Sequence, residues 1–387
     1  MNRAIAVLLV ALMAGAVYAA DEQWLEYHTG SASAVAGVAL KSATLKLEDT
    51  APAGLKPPDG APVLHFARWS TPMTPDGGVW MAFASSGAGL VDTLYIDSDC
   101  DGSLAGEKPI KAATGTNGRA VFPAARVIFK LDGGETAAYN INVSYYDYQD
   151  LKQAAVTSGG WYEGDVTAGT GSAHIVLVDY NSNGTFSDVS SDPAQCDRVC
   201  IKSGESFFPA CLGKYVQIGG KLCEFVPARD GASVTVTPTG DVPMGKVAVP
   251  TDITKISFLG TGGNLQYEVK DGSVAIPAGK WRVSGWTLSR TDGAGMKWTI
   301  EATDPTSAPE IEVAAGEVAK ADIGEPVLTT ATASKNDNSY TFMERFKGRY
   351  GENLQVSRAD KAALPAPSLR IKNADGSYNN LQSFQFG

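Results

Sequence analysis

Asp97, Asp99 and Asp101 stand at alternate positions, and Gly102 follows at once. Hard oxygen donors spaced by two on one tight turn converge on a single point. A glycine just beyond them lets the backbone double back around that point. The chemistry this spacing suits is the holding of a hard divalent cation, calcium above all. The pattern returns 82 residues later as Asp179, Asn181, Asn183 and Gly184. The two windows align without a gap from Gly87/Gly169 through Asp97/Asp179 and Gly102/Gly184 to Leu104/Phe186. Each follows an apolar run, Leu94–Ile96 or Ile175–Val178. Asp, Asn and Gly also gather in ordinary turns, where their side chains cap the local backbone. Three carboxylates in one turn repel one another unless a cation lies among them, which favours the metal in the first window. Lower formal charge makes the second window the weaker binder.

These windows resemble the EF-hand-like loops of secreted calcium proteins such as dockerins and thrombospondin type 3 repeats, over about a dozen residues each. The resemblance implies ligands from Asp97, Asp99, Asp101 and, at the seventh position, Ser103 in the first loop. In the second it implies Asp179, Asn181, Asn183 and Thr185. Position nine is Ala105 or Ser187. Position twelve, a bidentate Glu in that family, is Lys108 or Ser190 here. Glu107 in the first loop and Asp188 or Asp192 in the second are the acids placed to substitute. An EF-hand also has flanking helices, and these flanks read as strands. The loop is therefore expected without the helix–loop–helix.

The elements that must position these loops are expected to be strands. Gly at 42 and Pro at 20 in 387 residues, with abundant Thr, Val and Ser, point to short strands and many turns. Residues 1–19 read as a secretory signal peptide: Arg3, a short apolar core from Ile5 to Met13, and a small-residue cleavage site at Val17-Tyr18-Ala19. That core is too short to span a bilayer, and no other long apolar run follows. The chain is expected to be exported, to the periplasm, the cell surface or the medium. Its 42 Asp+Glu against 32 Lys+Arg argue against nucleic acid as a partner and suit cation binding.

Length alone suggests roughly two to four domains. Composition and turn signals divide the mature chain at residues 20–155, 156–245, 246–325 and 326–387. In the first unit, strands are expected at Pro62–Trp69 and Val79–Ala84. A hairpin should run from Ala125–Leu131 through Asp132-Gly133-Gly134-Glu135 to Thr136–Tyr146, with a short helix over Tyr148–Thr157. In the second, Ile175–Val178 is an unbroken apolar run that should be buried on both faces. A meander follows at Tyr215–Ile218, Lys221–Val226 and Ala232–Thr237. The third region carries Pro277-Ala278-Gly279-Lys280-Trp281. That turn resembles one in transthyretin-like or carboxypeptidase-regulatory-like β-sandwich modules, and implies a sandwich near 246–325. Strands are expected at Pro326–Thr332, Tyr340–Phe346, Ser368–Ile371 and Ser383–Phe386, the last docking into a sheet. The fold class expected is all-β: multidomain antiparallel β-sandwiches with two calcium-type loops at strand ends.

Four of five cysteines, Cys196, Cys200, Cys211 and Cys223, fall in one stretch, with three, ten and eleven residues between successive members. In an exported chain they read as two disulfides. On one extended strand Cys196 and Cys200 are too far apart to join each other, so each should pair with Cys211 or Cys223. The spacings lack the paired CxxC of a zinc ribbon. Cys100, inside the first loop at an outward position, is left as a free thiol or a redox- or partner-linked one. The three histidines, His28, His65 and His174, form no metal-ligand spacing, and no nucleophile elbow, P-loop or dinucleotide fingerprint is present. His174 reads as structural. The function expected is therefore calcium binding in a non-catalytic cell-envelope or surface protein, with surface proteins or glycans as partners. Two alternatives stand: a calcium-dependent hydrolase of polysaccharide or protein, and a carbohydrate-binding sandwich using exposed aromatics. On a regular strand Trp281 and Trp286 cannot face the same side.

Overall fold

The computed structural model describes residues 22–384 except 61, 88–89, 117, 149–150, 241, 306, 338, 361, 363 and 365. The expected signal peptide lies outside the described residues. Among them the fold is all-β in several sheets, and the one α-helix is the single turn Ala32–Ala36. Among the described residues no helix is long and apolar enough to cross a membrane.

The strand before the first loop, Thr93–Ile96, sits inside a five-stranded antiparallel sheet. Its order is Leu47–Glu48, Val63–Ser70, Gly78–Ala84, Thr93–Ile96 and Ile110–Lys111. The strand before the second loop, Gly171–Val178, is the middle of another five-stranded sheet. There the order is Ser206–Cys211, Arg198–Ser203, Gly171–Val178, Gly160–Ala168 and Glu26–Thr29. Both strands are covered on both faces, so their apolar runs need not alternate. Leu94, Tyr95, Ile96 and all of Ile175–Val178 are at most 3% exposed. One face of each meets the main core. Opposite it, Phe66, Ala82, Tyr95 and Leu104 cluster on the first sheet, and Ala32 and Ala36 pack with Val176 and Val178 on the second.

The repeat read in sequence is also a repeat of hairpins. Met81 pairs with Ile96 in the first, and Glu163, which aligns with Met81, pairs with Val176 in the second. Ile96 aligns with Val178, so the second register is slipped by two residues. The aligned side chains nonetheless face opposite ways: Leu94 and Ile96 point into the main core, whereas their counterparts Val176 and Val178 pack on the far face with Ala32 and Ala36. A single core joins Leu25, Trp69, Phe83, Phe129, Tyr139, Phe186 and Val236, drawing on both loop-bearing units. A separate core, Val247 to Ile323, fills the sandwich-like third region.

The Ala125–Lys130 and Thr136–Tyr148 hairpin and the meander of Tyr215–Ile218, Lys221–Pro227 and Ser233–Pro238 form as expected. Three expectations are corrected. The helix expected over Tyr148–Thr157 is a strand, Leu151–Ser158, paired with Thr136–Tyr148 on one side and Ala43–Leu45 on the other. Two sets of ladder bonds outweigh the weak helix preference of its alanines. Trp281 and Trp286 are both buried, at 2% and 3% exposure. Ser257 pairs with Gly285 and the next residue, Phe258, with Val283, so a bulge at Ser284 reverses the alternation between the two rings. The all-β, antiparallel class holds as expected, with one parallel pair, Met244–Ala248 beside Val318–Lys320. The last strand, Asn379–Ser383, pairs with Ser368–Lys372 in an exposed two-stranded hairpin instead of docking into a larger sheet. It ends at Ser383, and residues 385 and 386 of the strand expected at Ser383–Phe386 lie outside the described residues.

Candidate metal centre

Asp97 begins the first loop directly after the buried strand and is itself 2% exposed. Its two carboxylate oxygens accept the backbone N–H groups of Asp101 at 2.9 Å and Gly102 at 3.0 Å. That capture wraps the loop. Cys100 and Gly102 take left-handed φ values of 54° and 82° to complete the turn. Leu104, fully buried, anchors the far end in the sheet. Ligand oxygens of Asp97, Asp99 and Asp101 consequently lie within 4.8 Å of one another, the latter two exposed. Burial, then the negative charges of Asp101 and Asp99, push the Asp97 carboxyl up to about 6 against the backbone bonds that lower it. The group can hold a metal ion.

The remaining expected ligands of this loop are placed differently. Glu107 accepts the backbone N–H of Ser98 at 2.7 Å and the Ser98 hydroxyl at 3.0 Å, so its carboxylate closes the loop across its base. The N–H of Ser103 caps Asp101 at 2.8 Å, and its hydroxyl accepts the N–H of Ala105. An open groove of about 620 Å³ runs past Asp99, Asp101, Ser103 and Glu107.

The second loop uses the same backbone solution with different side chains. Asp179 captures the N–H groups of Ser182 at 2.7 Å, Asn183 at 3.3 Å and Gly184 at 2.7 Å. Ser182 and Gly184 have φ of 59° and 95°, matching the fourth and sixth positions of the first loop. Phe186 takes the place of Leu104 and is fully buried. Here, however, the loop is fused to the core. Tyr139 donates its hydroxyl to Asp179 at 2.5 Å, Trp69 donates its indole N–H to the Ser182 carbonyl at 2.8 Å, and the Ser182 hydroxyl takes the N–H of Ser158. The Asn181 and Asn183 amides both donate to Asp188, at 2.8 and 2.6 Å. Their carbonyl oxygens cap Asn183 and Thr185, and the Thr185 hydroxyl donates to the Arg229 carbonyl. The structure thus brings Asp179, Asn181, Asn183, Thr185 and Asp188 together, but as a hydrogen-bonded network.

Sequence reasoning missed Tyr139 and Asp197 at this loop. Asp197 is fully buried and accepts the N–H groups of Tyr180 at 3.1 Å and Asp188 at 2.8 Å. Burial and the nearby Asp179 and Asp188 charges hold its carboxyl well above the usual range. No local motif signals either residue, since Tyr139 arrives from the Thr136–Tyr148 strand and Asp197 from the connection just before Arg198–Ser203.

The five cysteines are free thiols, so the two expected disulfides among Cys196, Cys200, Cys211 and Cys223 are not present. Cys200 packs with Trp161 and Val178 under the helix, while Cys223 lies in the main core on another sheet, and neither can reach a partner. The cysteines do not gather into a metal-ligating group among the described residues. Cys100 turns inward against the main core rather than outward, and burial pushes its thiol up to about 12. His174 bridges Glu163 at 3.0 Å and Asp165 at 2.8 Å across paired strands. Comparison with protein-family models, with curated proteins and with solved structures finds no match.

Proposed function

We propose that this chain is an exported, non-catalytic calcium-binding protein of the cell envelope or surface, and that the first loop holds the ion. The observation that carries the reading is the convergence of Asp97, Asp99 and Asp101 around a largely buried carboxylate. Three hard oxygens on a prewrapped turn fit calcium, which takes flexible oxygen coordination. The ion supplies charge neutralisation and fixes a long loop at a strand end, so its binding free energy adds to folding. Glu107 is engaged by Ser98 and position twelve is Lys108, so water completes the coordination and the site is weak, as suits a calcium-rich exterior. The second loop keeps its shape through its own hydrogen bonds and does not depend on the ion. Surface proteins or glycans are the partner class this reading favours. The glycan-binding alternative called for a row of exposed rings; Trp69, Trp161, Trp281 and Trp286 are buried, while Trp24 is 71% exposed.

Thermal unfolding in chelator and then in millimolar calcium tests this. Calcium at about a hundredfold over Kd adds about 2.7 kcal/mol to stability, and the midpoint rises. Asp99→Asn with Asp101→Asn keeps the turn's hydrogen bonding but removes two charges, and abolishes the rise. Asp179→Asn lowers the midpoint equally with and without calcium. A wild type indifferent to calcium, or a rise that survives in the Asp99/Asp101 variant, sinks the assignment.

A further inference from the structure

His174 stands on the face of Gly171–Val178 that turns away from the main core, directly opposite Asp165 of the neighbouring strand Gly160–Ala168. Its Nδ1 lies 2.8 Å from Asp165 Oδ1 and its Nε2 lies 3.0 Å from Glu163 Oε1. An ionised carboxylate only accepts, and a neutral imidazole has a single N–H. The imidazolium alone donates to both acids at once. The other Glu163 oxygen accepts the indole N–H of Trp161 at 2.9 Å. Glu163 thus ties the imidazole to the small core under Ala32–Ala36, where Trp161 packs with Ala32, Ala36, Val176, Val178 and Cys200. A Cβ on Gly30, two residues before the helix, would lie 3.5 Å from the same indole.

The charges around this bridge make its proton matter. Glu26, on the strand Glu26–Thr29, pairs directly with Glu163, and like charges directly opposite repel. The same strand supplies His28, which stacks on Trp161 at 5.6 Å and lies 4.0 Å from Glu26. On the other side the Phe207 ring packs 6.1 Å from the imidazole, and Lys202 Nζ lies 6.0 Å from the centre of that ring. The helix Ala32–Ala36 brings no acid and no base.

We propose that His174 is a pH-operated latch: its imidazolium holds Glu163 against Trp161 and keeps the Ala32–Ala36 cover seated on the strand that feeds the second loop, and loss of its proton lets that cover open. In the neutral ring one nitrogen turns a lone pair on a carboxylate. Glu26, Glu163 and Asp165 then share the face without the imidazolium between them. Glu163 is driven into water, and the Trp161 N–H loses its acceptor, which loosens the ring on which the cover rests. Burial disfavours the charged imidazole, but the hydrogen bonds to Glu163 and Asp165 and their charges outweigh it and hold its pKa above the ordinary value. A raised pKa contributes stability that is complete below the ordinary 6.5 and is lost as pH climbs through the folded-state value. The latch is therefore shut in acid and opens on the alkaline side.

Cys200 reports on the cover, since it is fully buried in the core beneath the helix. The full reduced chain, in chelator so that the test stands apart from the calcium reading, is alkylated natively from about pH 5.5 to about 9. The Cys200 peptide is then quantified by mass. Thiol reactivity itself rises with pH, so each rate is divided by that of His174→Gln at the same pH. The expected wild-type rate is about tenfold below the variant in acid, the scale of one hydrogen bond to a charged group, and converges on it in alkali. His174→Lys, which keeps a cation throughout, stays slow in alkali. Imidazole nitrogen resonances show both ring nitrogens protonated in acid and a titration above 6.5. A His174 that titrates at or below 6.5 overturns the bridged imidazolium. A constant ratio between wild type and His174→Gln across the range overturns the latch.

Discussion

Asp179 is wholly buried and ionisable, and four donors converge on it: the N–H groups of Ser182, Asn183 and Gly184 and the hydroxyl of Tyr139. Burial still pushes its carboxyl up to about 6. Its stability thus depends on every donor, because a buried acceptor that loses one bears the desolvation cost unrelieved. Tyr139→Phe removes the hydroxyl alone and leaves the ring among Trp69, Phe129 and Phe186. The expected loss is about 1–3 kcal/mol in urea unfolding, the same in chelator and in calcium. A loss seen in calcium alone would mean that Tyr139 supports a bound ion. At this scale the sequence was informative only locally. Asp97, Asp99, Asp101 and their counterparts were legible because the turn's own spacing defines them. Tyr139, 40 residues from Asp179, was not, because strand pairing brings it there.

The two loops are one backbone device in two settings, and their sixth-position glycines separate conformation from packing. Gly102 and Gly184 both have positive φ, which any L side chain resists. A Cβ on Gly102 meets nothing within 4 Å, whereas one on Gly184 meets Thr71 Oγ1 at 2.9 Å and Phe129 and Trp69 at 3.2 Å. Gly102→Ala therefore bears only the conformational cost, about 1–2 kcal/mol. Gly184→Ala bears that and an overpacking cost of about 1–3 kcal/mol more. Paired denaturant titrations check the order, and equal losses would refute the contrast in packing. Legibility at this scale follows the same division. Ile175–Val178 was readable as a doubly covered strand because an unbroken apolar run has few other solutions. The Ser284 bulge was not, because a single extra residue leaves no trace in hydrophobic periodicity, yet it decides that both Trp281 and Trp286 point inward. Leu151–Ser158 was misread as helix because only its near partner, Thr136–Tyr148, is adjacent in sequence, while the second strand that fixes it, Ala43–Leu45, is more than a hundred residues away.

Across the whole molecule, two cores meet at a seam of backbone. Lys214 donates its N–H to the Thr261 carbonyl at 3.1 Å and Tyr215 to that of Gly262 at 2.9 Å. Tyr215 and Leu222, from the loop-bearing part, pack against the third region's core. The approach is so close that a Cβ on Gly213 would lie 2.1 Å from the Gly263 nitrogen and 2.2 Å from its Cα. Those atoms are main chain, so no rotamer change relieves the clash, and the seam itself must open. Gly213→Ala is expected to cost at least about 1–3 kcal/mol and, more tellingly, to uncouple the cores. Calorimetry reads this directly, since coupled units melt together and uncoupled ones give separate transitions with a calorimetric enthalpy above the van't Hoff value. Gly293→Ala, where an added Cβ meets nothing within 4 Å, is the control. If the seam transmits stability, calcium raises the midpoint of both cores in the wild type but only of the loop-bearing core in Gly213→Ala. If calcium moves one transition alone in both proteins, the seam joins the cores in space without joining them in energy.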